Sequence, residues 1–183
     1  MWDGRIPVGV GTLIAGLPGG GKTHVLRHLG AMVTQGALPG DYFGKPGGFV
    51  VMSREDMLEQ TIVPRLIGAE ADMSRVFALP FSAGSFDVQN DMPELAEVIE
   101  RESVRLVRLD PMLAFTGSDT FKESDVRRML EPAQRLMEDH NVSMAGVMHV
   151  NKDLMKDLLS RATASGTFTV HRPLGAVLWL RSR

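Results

Sequence analysis

Gly16-Leu17-Pro18-Gly19-Gly20-Gly21-Lys22-Thr23 has the form G-x-x-x-x-G-K-[ST]. Glycines at this spacing let the main chain turn so that successive N–H groups point inward around a phosphate. A helix starting beside Lys22 turns its positive end toward the same anion. In such a loop the lysine reaches the β- and γ-phosphates and the threonine hydroxyl ligates Mg²⁺. Gly16, Pro18, Gly19, Gly20, Gly21, Lys22 and Thr23 are therefore the expected ATP-binding residues, with the Lys22 side chain expected to face solvent. The flanks agree. Residues 12–15 read as a short apolar strand, and 22–34 as a helix with Val25, Leu26, Leu29, Met32 and Val33 on one face.

Outward from this loop, apolar clusters alternate with helix-period segments. Residues 36–48 are rich in Gly and Pro and read as a loop. Strands are expected over 49–52, 76–79, 104–109, 143–148 and 176–180, and helices over 57–68, 93–102 and 124–140. Pro64 is awkward in the first of these helices unless it sits in an early turn or a kink. Pro93 suits the first position of the second helix, and Ser124 the N-cap of the third. Strands separated by helices predict an α/β fold, a mainly parallel sheet with helices on both faces. Neither a repeat nor a linker divides the chain, so residues 1–183 are expected to form a single domain. Arg105 and Arg108 interrupt the fourth strand and are expected on one side of the sheet, which must then be partly solvated or supply acidic partners.

Composition narrows the function classes. With 44% apolar and 23% charged residues the chain reads as an ordinary soluble domain. It has no Cys, which excludes disulfides and thiolate metal sites and fits a reducing cytoplasm. No apolar run is long enough to span a bilayer and no leader-like segment opens the chain, so a cytoplasmic protein with no membrane partner is expected. A formal charge of −2 is unlike a protein that coats nucleic acid non-specifically; any such contact must use a local cluster of charge.

Three further positions follow strand ends, where ligands bind in parallel α/β sheets. Asp110 closes the fourth strand in the manner of a Walker B carboxylate, a second expected Mg²⁺ ligand beside Thr23. The bland alternative is an Asp capping the loop before Pro111. Glu55 follows the second strand, where it would either polarise the attacking water or, with Asp56, merely favour a helix N-terminus. His149 and Asn151 follow the fifth strand. They face the phosphates if that strand neighbours the first, and otherwise cap a strand end.

Together these residues resemble the RecA-like ATPases of the RepA and AAA_25 type, relatives of the replicative hexameric helicases. The resemblance spans nearly the whole chain. Trp2-Asp3-Gly4-Arg5-Ile6-Pro7 is similar to the family's entry segment, Ser53-Arg54-Glu55-Asp56 to its S-x-E-D, and Thr61-Ile62-Val63-Pro64-Arg65-Leu66 to the helix that follows. Leu109-Asp110-Pro111 is similar to its Walker B, Asp125-Val126-Arg127-Arg128 to a helix-opening segment, and His149-Val150-Asn151-Lys152 to its H-x-N-K stretch. Ser165-Gly166-Thr167-Phe168 resembles a later S-G-x-F element. Arg108 departs from the pattern, since the family's Walker B strand is usually apolar throughout.

The resemblance implies a RecA-like P-loop fold with the strands in the order third, second, fourth, fifth, first, sixth. It implies Glu55 as catalytic base, His149 as sensor of the γ-phosphate, and an arginine finger near the last strand. Arg172 is the nearest candidate for that finger, about two residues too far from the strand, with Arg161 behind it. It further implies ATP and Mg²⁺, a homo-oligomeric and by analogy hexameric ring, and a helicase-type motor in DNA replication or a mobile element. Single-stranded DNA would meet loops 116–124 and 151–166, through Lys122, Lys152, Lys156 and Arg161. Two other expectations stand beside this: an ATPase of the same fold with a regulatory or protein-remodelling task and no nucleic acid, or a nucleotide-binding module with little hydrolysis. Because many relatives continue beyond the sixth strand, the chain is also expected to be a core or fragment of a longer protein.

Overall fold

The structure, a computed structural model, describes residues 1–16, 18–54, 56–79, 88–112, 123–149 and 176–179; for residues 88–90, 123–131, 149 and 176–179 only the main chain is described. Among the described residues six strands form one sheet: β1 (Gly11–Gly16), β2 (Gly48–Ser53), β3 (Val76–Ala78), β4 (Val104–Asp110), β5 (Ser143–His149) and β6 (Ala176–Trp179). Their spatial order is β3-β2-β4-β5-β1-β6, the order implied by the resemblance. The first five run parallel, whereas β6 pairs antiparallel with β1. The helices are α1 (Lys22–Gln35), α2 (Val63–Ile67), α3 (Val88–Arg101) and α4 (Glu123–His140).

Strand alternation divides the core into two layers. On one face Ile14, Phe49, Val51, Leu106 and Val147 meet Leu26, Leu29 and Val33 of α1 and Leu66 of α2. On the other Val50, Met52, Val107, Leu109 and Met144 meet Leu95 and Ile99 of α3 and Leu136 and Met137 of α4. Each such aliphatic side chain taken fully out of water contributes about 1.5–3 kcal/mol before chain entropy is charged against it. Gly30 sets how close α1 lies. A Cβ there would stand 2.2 Å from the Phe49 ring, so only hydrogen lets the helix settle on β2. No helix among the described residues is long and apolar enough to cross a membrane.

Three local expectations are corrected. Pro93 lies inside α3 rather than at its start, because the helix begins at Val88. Ser124 is not the N-cap of α4, which already includes Glu123. The helix expected over 57–68 is split into a π-helical turn, Leu58–Ile62, and the short α2. Pro64 supplies the reason: it has no N–H for the carbonyl one turn back, so it falls in the first turn of a new helix while the preceding turn widens.

Arg105 and Arg108 show how β4 departs from regular alternation. Residues three apart in a regular strand point to opposite faces. Here Gly48 pairs with Val104 and Phe49 with Leu106, so Arg105 is an extra residue in a bulge. Its guanidinium lies 4.3 Å from the centre of the Tyr42 ring, and Tyr42 packs against the α1-side cluster that contains Leu106. Arg108 shares the Leu106 phase and is fully buried, with acidic partners. The expectation of one side is thus met through the bulge, not through the strand period.

Candidate functional site

β1 ends at Gly16, and the main chain of residues 18–21 runs exposed to solvent before α1 begins at Lys22. Gly19 and Gly21 hold φ of 75° and 80°, a left-handed conformation that a side chain would strain. That turn brings the start of α1 to the carboxyl edge of the sheet, where Thr23 meets the end of β4. Lys22 does not face solvent as expected. It is 3% exposed, and its ammonium donates a 2.9 Å hydrogen bond to the Gly16 carbonyl at the end of β1. A buried cation is costly unless hydrogen-bonded, and the end of β1 supplies the acceptor.

Thr23 is the next residue of α1, and its hydroxyl donates a 3.0 Å bond to Asp110 Oδ2 at the end of β4. The Asp110 carboxylate is 2% exposed. Its other oxygen, Oδ1, is buried with no hydrogen-bond partner among the described residues. A carboxylate oxygen so placed, beside a threonine hydroxyl, fits a hard divalent cation that takes oxygen ligands and keeps waters and phosphates for the rest of its shell. The donor set therefore suits Mg²⁺.

The chain after β2 is tied to the same point. Ser53 pairs with Asp110 in the sheet, and the Arg54 N–H donates to the Asp110 carbonyl at 3.0 Å. The Ser53 hydroxyl accepts the Asp56 N–H at 3.2 Å, which ties Asp56 to the end of β2. Asp56 lies 3.6 Å from the Arg108 guanidinium. Glu55 falls outside the described residues, between these two anchors.

Arg108 and Arg27 were not foreseen as members of this site. The Arg108 Nη2 donates to Asp110 Oδ2, while its Nε and Nη1 are buried without partners among the described residues. The signal was present: residues 108 and 110 are two apart in a strand and share a face. Arg27, one helical turn beyond Thr23, is 6% exposed. Burial lowers its pKa, Arg65 and Arg108 push the same way, and Asp56 and Asp110 oppose them. Three cations and two carboxylates thus feel one another at this edge.

His149 is the last residue of β5 and pairs with Gly16. β5 is therefore a neighbour of β1, which was the condition set for a residue facing the phosphates. Arg161, Arg172, Asn151, Lys152, Lys156 and Lys122 lie outside the described residues. Among those described, no group of three or more His, Asp or Glu side chains is gathered as a metal cluster. The site expected here, one carboxylate and one hydroxyl, does not require such a cluster.

A family model described as an AAA domain, AAA_25, matches residues 1–155. That span covers every element from β1 to β5, the phosphate loop and both strand-end acids. None of the curated proteins matches the chain.

Proposed function

The chain belongs to the AAA_25 family of AAA domains, a family of ATPases, and from that premise we propose that it is the ATP-hydrolysing motor of a DNA helicase or of a related replication or mobile-element protein. The observation that carries the ATPase part is the Thr23–Asp110 hydrogen bond, which brings the first turn of α1 and the end of β4 to one point. In this proposal the N–H groups of Gly19, Gly20, Gly21, Lys22 and Thr23 cradle the phosphates. Lys22 exchanges the Gly16 carbonyl for β- and γ-phosphate oxygens. Asp110 and Thr23 would hold Mg²⁺, which supplies charge neutralisation of those phosphates when bound. Glu55 takes a proton from the attacking water. His149, beside the start of the phosphate loop, reports the γ-phosphate to the rest of the chain. Arg172 of a neighbouring copy brings a second cation to the transition state.

The helicase role is supported by the order of motifs along the chain and by their resemblance to ring motors. The measurement that tests it is ATPase rate against protein concentration, with and without single-stranded DNA. The proposal expects turnover per molecule to rise with concentration and again with DNA. Concentration-dependent turnover that ignores both DNA and RNA would remove the nucleic-acid role and leave the regulatory ATPase, which the net charge of −2 favours.

A further inference from the structure

A guanidinium lies against the very carboxylate that the proposed function assigns to the metal. Arg108 is 0% exposed, and its Nη2 touches Asp110 Oδ2, the oxygen that also accepts from Thr23. The second carboxylate in reach, Asp56, is farther off at 3.6 Å and part exposed. Two nitrogens of the same guanidinium, Nε and Nη1, are buried with no partner among the described residues. Burying an arginine incompletely bonded in a strand between apolar neighbours costs several kcal/mol. An apolar residue would fill the position without that cost. The charge is therefore better explained by what it does to Asp110 than by stability.

We infer that Arg108 is a built-in counter-cation of the nucleotide site: it neutralises Asp110 from beneath, competes with a divalent cation for that carboxylate, and is drawn partly off it by Asp56. The inference rests on the nucleotide-site reading above and deepens it. A cation already in contact with Asp110 lowers the negative potential that attracts Mg²⁺, and it repels the incoming ion. The same cation favours phosphate oxygens nearby, aided by Arg27 and Arg65, which belong to the same electrostatic cluster. Nucleotide binding by this chain should consequently depend less on Mg²⁺ than a site with a bare carboxylate would. Arg108 is in this sense a positioning residue, since it acts through Asp110.

The test is binding, not turnover. A fluorescent ATP analogue is titrated onto the parent chain and its variants, and the MgCl₂ concentration giving half the metal-dependent change is recorded. Arg108→Met keeps bulk and removes the charge. The half-point for Mg²⁺ should fall about tenfold, within the usual range of coupling between sites, while affinity without Mg²⁺ weakens. Arg108→Lys retains the charge and should stay within about threefold of the parent. Asp56→Asn removes the competing carboxylate and should move the half-point the other way, upward. If Arg108→Met does not fold, Asp56→Asn decides: an unchanged or lower half-point overturns the inference. A folded Arg108→Met with the parent's half-point overturns it as well. Absence of any analogue binding by the parent chain overturns the nucleotide-site reading first, and this inference with it.

Discussion

Thr23 and Asp110 are joined by a hydrogen bond of 3.0 Å although they stand 87 positions apart in the sequence. The bond links the start of α1 to the end of β4 across the intervening strand β5, because β4 and β1 both flank β5. It ties the phosphate loop to the sheet at the point where the metal ligands are proposed to meet.

Asp110→Asn should do more than weaken the response to Mg²⁺. It leaves the Arg108 guanidinium buried with Asp56, at 3.6 Å, as the remaining carboxylate in reach among the described residues. Breaking one side of a buried pair costs about 3–5 kcal/mol. Urea unfolding should show a loss of that order for Asp110→Asn, and a smaller one for the double variant Asp110→Asn, Arg108→Met. Equal losses in the two would mean that the guanidinium finds other acceptors.

Lys22→Ala removes a cation whose ammonium is bonded to Gly16. ATP affinity or hydrolysis should collapse. Stability should fall only modestly, by about 1 kcal/mol for the bond lost to the Gly16 carbonyl. Equilibrium binding of a labelled nucleotide and a denaturation curve separate the two effects. Parent-like binding and turnover in Lys22→Ala would remove the phosphate-loop assignment.

Glu55→Gln preserves size and removes the proposed proton acceptor. Binding of Mg-ATP should persist while turnover drops by about 10²–10⁴. Single-turnover hydrolysis is the measurement. A variant as fast as the parent would reduce Glu55 to a charge that favours a helix N-terminus, with the base elsewhere.

Gly30→Ala tests the seat of α1. The added Cβ would lie 2.2 Å from Phe49 Cε1, and that ring is fully buried. Overpacking of this kind costs about 1–3 kcal/mol, against a gain in helix propensity of about 1 kcal/mol. The urea midpoint should fall. In a Phe49→Leu background the same change should be neutral or stabilising. If Gly30→Ala matches the parent in the native background, α1 has room that the packing denies it.

Arg172→Ala should abolish turnover without touching nucleotide affinity, as loss of an arginine finger costs about 10³–10⁵ in rate. Mixing it with Lys22→Ala should restore some activity, because mixed assemblies contain intact interfaces. A preparation whose turnover per molecule is independent of concentration and indifferent to Arg172→Ala would reject completion of the site by a second copy.

The phosphate loop was legible because its chemistry is local: eight consecutive residues carry the turn, the cation and the hydroxyl. The sheet order came from the family resemblance, which supplies an order that apolar strand sequences do not encode locally. Pro93 and Ser124 misled because each is a good helix start considered alone, and nothing local shows that the preceding residues are already helical. The antiparallel direction of β6 carries no mark in four residues of apolar sequence. Arg108 was noticed as an intruder in an apolar strand, but its partners were harder to see. Asp110 lies within strand alternation of it, whereas Asp56 reaches it only through the neighbouring strand and the hydrogen bond to Ser53.

β5 and β6 both flank β1, and they run in opposite directions. The chain consequently leaves the sheet at His149, beside Gly16, and rejoins it at Ala176, beside Ala15. Two strand spacings, about 10 Å, separate those attachment points. The stretch 150–175 is far longer than that gap demands. Closing a loop grows dearer only slowly with length, by about 0.6 kcal/mol per doubling. A change in the length of that stretch would therefore cost the sheet little free energy.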